Sequence, residues 1–124
     1  MRAFIASLAV FAVVLSAAVL HALCIANVTD RLDGMEASFP KKEKEQNSPD
    51  PALQQAEEYW SNMRRRLSAT VNMRYLNAVT NALRNVIDYY EEGTVSDYEA
   101  ARSLFREAVE ALRISDTIEF ASLI

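Results

Sequence analysis

Residues 3–29 read AFIASLAVFAVVLSAAVLHALCIANVT, a run without one charged side chain in which almost every residue is Ala, Val, Leu, Ile or Phe. Its apolar part, Ala3 to Ala26, makes a helix roughly 36 Å long, more than the ~30 Å hydrocarbon core of a bilayer. The run predicts a membrane-crossing helix. The residues after it are charged and helical in pattern. With only 2 glycines and 3 prolines in 124 residues, the chain is built from long helices rather than strands and turns. Gly34, Gly93, Pro40, Pro49 and Pro51 fall at or near expected element ends. The expected fold is all-α: an N-terminal transmembrane helix extended as a stalk, then a small antiparallel helical bundle or hairpin. The expected domains are an anchor over 1–27, an amphipathic stalk and charged linker over 28–50, and an extracytoplasmic helical domain over 51–124.

The apolar run admits three readings. A cleaved secretory signal has an apolar region of about 7–15 residues and a small-x-small cleavage site. This run is longer, and its best candidate site is Cys24-Ile25-Ala26. A lipoprotein needs a small residue before the lipidated cysteine, and Leu23 stands there. An uncleaved anchor is the favoured reading. Arg2 precedes the run and Asp30, Arg31, Asp33 and Glu36 follow it, so the positive-inside bias puts the N-terminus in the cytoplasm and the bulk outside. Lys41, Lys42 and Lys44 narrow that margin. Ala18, Ala22 and Ala26 recur at intervals of four, a small-residue spacing that lets two membrane helices approach closely and would support a homodimer. Alanine is common in any apolar run, which accounts for the same spacing. His21 and Cys24 share a helix face, but two ligands without a third make a poor metal site. The sequon Asn27-Val28-Thr29 abuts the membrane and is discounted.

Beyond the run, Val28, Leu32, Met35 and Phe39 continue an apolar stripe as far as Pro40. Residues 41–50, KKEKEQNSPD, read as a linker. Asp50-Pro51 opens a helix, with aspartate as cap and proline at the first position. Leu53, Ala56, Trp60, Met63 and Leu67 form one stripe; Tyr75, Val79, Leu83, Val86 or Ile87, and Tyr90 form another, rotated by roughly 90°. That rotation predicts a break or kink between Thr70 and Tyr75. Gly93 is expected to end the helix as a left-handed cap. Ser96-Asp97-Tyr98-Glu99 matches a capping box that starts an antiparallel helix bearing Tyr98, Ala101, Phe105, Ala108 and Leu112 on one side. A shorter tail, Ser115 to Ile124, ends in Phe120, Leu123 and Ile124 and is expected to pack back on the bundle. Trp60, Leu67, Leu83, Val86, Phe105 and Leu112 are the candidate core.

Composition narrows the function. The net charge is −4, with 17 acidic and 13 basic residues, which argues against general nucleic-acid binding. The single histidine and single cysteine lie in the apolar run. Hydrolase and thiol-enzyme constellations therefore lack their usual residues, and no cofactor or metal is expected. Glu57-Glu58 and Glu91-Glu92 are adjacent pairs that diverge on a helix and read as solvated surface. Arg64, Arg65, Arg66, Arg74 and Arg84 occupy a stretch without an acid, and a following stretch is acidic. These arginines do not share one helix face. Either they pair with acids on neighbouring helices or they contact an anionic surface, a lipid headgroup or a wall polymer.

The layout resembles a domain-of-unknown-function family of small single-span helical membrane proteins from spore-forming Gram-positive bacteria. The matching residues are Trp60 and Leu67, Leu83 and Val86-Ile87-Asp88-Tyr89, Tyr98-Glu99-Ala100-Ala101 and Leu104, and Ile118-Glu119-Phe120-Ala121-Ser122-Leu123-Ile124. Family members commonly carry a histidine in the middle turn, where Asn72 stands here, so no histidine chemistry carries over. The resemblance implies a membrane or cell-envelope protein partner. The expectation is a non-enzymatic, membrane-anchored interaction or scaffold protein, with anionic-surface binding as the alternative.

Overall fold

The uncharged run and its amphipathic continuation form one unbroken helix, α1 (Arg2–Ala37). It is long and apolar enough to cross a membrane. The computed structural model describes the backbone of residues 1–123 and the side chains of residues 1–115. Three further helices follow: α2 (Pro51–Leu67), α3 (Met73–Glu92) and α4 (Val95–Leu123). Each consecutive pair packs together and α4 returns to α1, with no diagonal pairing among the described residues. The result is an up-down-up-down four-helix bundle closed as a ring.

α1 divides sharply along its length. Phe4, Ile5, Leu8, Phe11, Val14 and Leu20 are exposed, while Ile25, Val28, Thr29, Leu32 and Glu36 are buried. The same helix thus offers an all-round exposed surface through residue 17, is partly covered at Ala18 and His21, and carries a single buried stripe from Ile25. The outward continuation expected as a stalk is also the fourth member of the bundle, packed on α2 and α4. Burying a leucine or isoleucine contributes about 2 kcal/mol, so the stripe ties the exposed apolar run to the rest of the bundle.

α2 begins as its sequence reads. The Asp50 side chain accepts a hydrogen bond from the Ala52 amide at 2.8 Å, and Pro51 takes the first position. Leu53, Ala56, Trp60 and Leu67 are buried and Met63 is partly so. The helix stops at Leu67, and Asn72 recaps the chain by accepting from the Arg74 amide at 2.9 Å. The break thus covers residues 68–72, slightly ahead of the expected position. It re-aims the apolar stripe: Leu76, Val79, Leu83, Val86 and Tyr90 of α3 are buried, and Tyr75 is half-buried beside Leu76. The Trp60 indole N–H donates to Thr80 Oγ1 at 2.9 Å, so its buried polar edge is satisfied.

Two local readings need correction at the α3–α4 turn. Gly93 is not left-handed; its φ is −93° and ψ −177°. Glycine is required there by crowding, because a Cβ would sit 2.6 Å from Tyr89 Cδ1 and 2.9 Å from Tyr89 Cα. The cap of α4 is Thr94, whose Oγ1 accepts from the Asp97 amide at 3.0 Å. With Thr94 as cap the helix begins at Val95, and Ser96 lies inside it. α4 then runs on through Ser115 without a separate tail. Tyr98, Ala101, Phe105, Val109 and Leu112 line its buried face. The packing expected of Phe120, Leu123 and Ile124 lies outside the described residues.

Candidate functional site

The two ends of the bundle treat charge differently. At the end farthest from the exposed run of α1, charges are paired and covered. Glu36 is buried. Its Oε1 accepts from Arg102 Nε at 2.9 Å and Arg106 Nη1 at 2.7 Å, while its backbone carbonyl accepts from Arg102 Nη2 at 3.0 Å. The Arg102 guanidinium lies 5.9 Å from the Phe39 ring centroid and 5.8 Å from that of Tyr98. The Tyr98 hydroxyl donates to the Pro40 carbonyl at 2.6 Å. Burial pushes the Tyr98 phenol up to about 12 against the opposing pull of Arg102, and it raises Tyr90 as well.

The stretch expected as a linker is fastened to the same end. Lys42 is only 1% exposed, and its Nζ donates to the Tyr90 carbonyl at 2.6 Å and the Glu45 carbonyl at 2.8 Å. The Asn47 side chain also donates to the Tyr90 carbonyl, at 3.0 Å, and the Asn47 amide donates to the Glu91 carbonyl at 3.1 Å. These groups satisfy free carbonyls in the last turn of α3, where a cation also complements the helix dipole. On the flank, Arg113 bridges Asp30, Asp33 and Glu110, and its hydrogen bond to Asp33 raises its pKa.

The arginines singled out from the sequence lie elsewhere. Arg64, Arg65 and Arg66 occupy the last turn of α2, and Arg74 the first turn of α3. The expected pairing with acids on neighbouring helices is absent: none of the five, Arg84 included, has an ion pair among the described residues. Arg64 Nη2 donates to Asn77 Oδ1 at 2.6 Å, and Arg65 Nη2 to Asn62 Oδ1 at 3.0 Å. The Arg74 guanidinium lies 5.8 Å from its neighbour's ring, Tyr75. Neutral amide partners orient the Arg64 and Arg65 guanidinium groups. Arg64, Arg65 and Arg84 also line a groove of about 490 Å³ between α2 and α3, with Glu57 and Glu58 on its wall. Mixed charge suits that groove to a polar contact rather than to concentrating an anion.

A second groove, of about 530 Å³, runs between α3 and α4. Ala78 and Ala82 line one wall, and Ala100, Ala101 and Ala108 the other. Leu104 and Tyr89 stand at its edge, 56% and 40% exposed. Ala101 is buried and Ala82 and Ala108 half-buried, so small side chains floor it. Ala22 and Ala26 of α1 are exposed and Ala18 is partly covered. Trp60, Leu67, Leu83, Val86, Phe105 and Leu112 all lie in the core cluster. No group of three or more metal-ligating side chains occurs among the described residues.

The sequence reading did not find Glu36, Arg102, Arg106 or Lys42. Glu36 carried a signal: it lies on the buried α1 stripe, four residues after Leu32. Lys42 carried none, because its acceptor is 48 positions away. The chain matches no protein-family model, no curated protein and no solved structure.

Proposed function

We propose that this chain is a membrane-anchored, non-enzymatic interaction protein that presents its helical bundle to a membrane or envelope protein. α1 holds the bundle at the bilayer, with the N-terminus in the cytoplasm and the bundle outside. The observation that carries the reading is the α3–α4 groove: small side chains on both walls and an exposed leucine at the edge, along the outer side of the seam where the two helices pack. Such a surface fits a partner helix, which approaches closely where side chains end at Cβ. Asp97 and Glu107 at the groove favour a partner helix with basic flanks. The exposed Ala22 and Ala26 face leaves room for self-association within the membrane.

A photo-crosslinking side chain at Leu104, in membranes of the native host, tests this. The expected result is one discrete adduct that Ala82→Trp abolishes by filling the groove. An equal adduct pattern from Gln55, an exposed position on α2, would show that the groove has no special role. An adduct of twice the chain's mass would identify the partner as a second copy.

A further inference from the structure

We propose that the α2–α3 tip is a contact site for the phosphates of anionic lipid headgroups, and that it seats the bundle on the bilayer that α1 crosses. The inference rests on the spanning part of the functional reading and not on the partner groove.

Helix register places the tip. Arg31 of α1 lies 5.1 Å from the Tyr59 ring centroid, and Gly34 and Met35 face Ala52 and Gln55, so α2 runs back along α1. From Tyr59 to Leu67 the helix descends about 12 Å, which brings its end level with about residue 23 of α1. That level is where α1 changes character: Leu23 is exposed and Ile25 is buried. Counting a ~30 Å hydrocarbon core from Ala3 ends it at about residue 22. The headgroup layer is about 5–7 Å deep, so it lies beside about residues 23–27 and beside Arg64, Arg65 and Arg66. Arg74, in the first turn after the break, shares that level.

Four observations then agree. Arg65, Arg66 and Arg74 are exposed. None of Arg64, Arg65, Arg66 and Arg74 has an ion pair among the described residues, in contrast to Arg102, Arg106 and Arg113. Met73 stands at the tip 47% exposed, an apolar side chain suited to the interface. The turn residues Ser68, Ala69 and Thr70 are small and uncharged, with no acid to repel phosphate. Guanidinium groups bind phosphate through paired N–H donors. The anchor also confines tip and headgroups to one small volume, so each arginine acts at high effective concentration.

The test uses the full chain with Cys24→Ser, reconstituted in nanodiscs of phosphatidylcholine alone or with 30% phosphatidylglycerol (about the anionic share that makes a surface potential appreciable). A spin label at Thr70→Cys reports depth, with labels at Val14→Cys and Thr94→Cys as lipid and aqueous references. The expected result is a Thr70 label at headgroup depth in anionic discs. Its ratio of headgroup to aqueous population falls about tenfold in neutral discs, in high salt, or when Arg64, Arg65, Arg66 and Arg74 become glutamine. Lysine at the same positions retains the contact. A Thr70 label that stays aqueous in anionic discs, with Val14 in lipid, overturns the headgroup contact and leaves the spanning anchor standing. A Val14 label in water overturns the anchor itself. The salt arm needs no arginine variant, so misfolding of the glutamine variant cannot mask the answer.

Discussion

The far end of the bundle and its α2–α3 tip are both rich in charge, and they use it in opposite ways. At the far end Glu36, Arg102 and Lys42 are covered by protein and bonded to specific acceptors. At the tip the arginines are held by neutral asparagines or by none of the described acids. A charge that is buried and paired fixes geometry, and removing its partner is costly. An exposed charge without a partner contributes little to stability and stays available to a ligand. The contrast separates residues that hold this fold from residues that can serve its function.

Removing Glu36 should break that contrast most severely. Glu36→Gln leaves Arg102 beside two aromatic rings without a counter-charge, and the full chain in nanodiscs should lose about 3 kcal/mol of stability. The share due to Arg106, which is half exposed, is small. Unfolding followed through Trp60, the single tryptophan, measures it. A loss below about 0.5 kcal/mol would mean the cluster behaves as an ordinary surface pair. Lys42→Met comes next, at about 2 kcal/mol, because the last turn of α3 loses a charge-assisted cap. Faster amide exchange confined to the end of α3 and residues 43–47 would locate the effect.

Tyr98→Phe has a smaller effect at neutral pH, about 1 kcal/mol for the lost bond to the Pro40 carbonyl. Its main signature is alkaline. The folded phenol titrates near 12 and the unfolded one near the ordinary value of 10. The unfolded chain therefore sheds its proton first, and the stabilisation present below pH 10 is lost as pH rises through 12. The variant should flatten that alkaline fall, and an unchanged slope would put the titrating group elsewhere. The smallest effect belongs to the tip: glutamine at Arg64, Arg65, Arg66 and Arg74 should change stability by no more than about 0.5 kcal/mol per site. A larger loss would make those arginines structural.

How much of this was legible depended on distance along the chain. Asp50-Pro51, the break near Asn72 and the antiparallel return after Gly93 are local events, governed by residues within a turn of each other. The last of these was right in outcome and wrong in cause. Gly93 is demanded by contact with Tyr89 rather than by a left-handed backbone, and the cap is Thr94 rather than Ser96. The far-end cluster was illegible for a different reason. Arg102 and Glu36 are 66 positions apart, and no spacing rule connects them. The arginines at the tip were visible as a run, but only the register of α2 on α1 shows that they share a level with the end of the apolar surface.

That level depends on a single proposition: α1 is solvated by lipid along its exposed run, which protein covers only in part at Ala18 and His21, and is buried by its own protein from Ile25. An accessibility scan decides it, with spin labels placed one at a time along residues 4–36 of the full chain in nanodiscs. The expected profile is uniform oxygen access without helical periodicity through residue 17, shallow dips at the half-covered Ala18 and His21, then a period near 3.6 residues with minima at Ile25, Val28 and Leu32. A helical period running through residues 4–17, or access to a water-soluble quencher along that stretch, would contradict it.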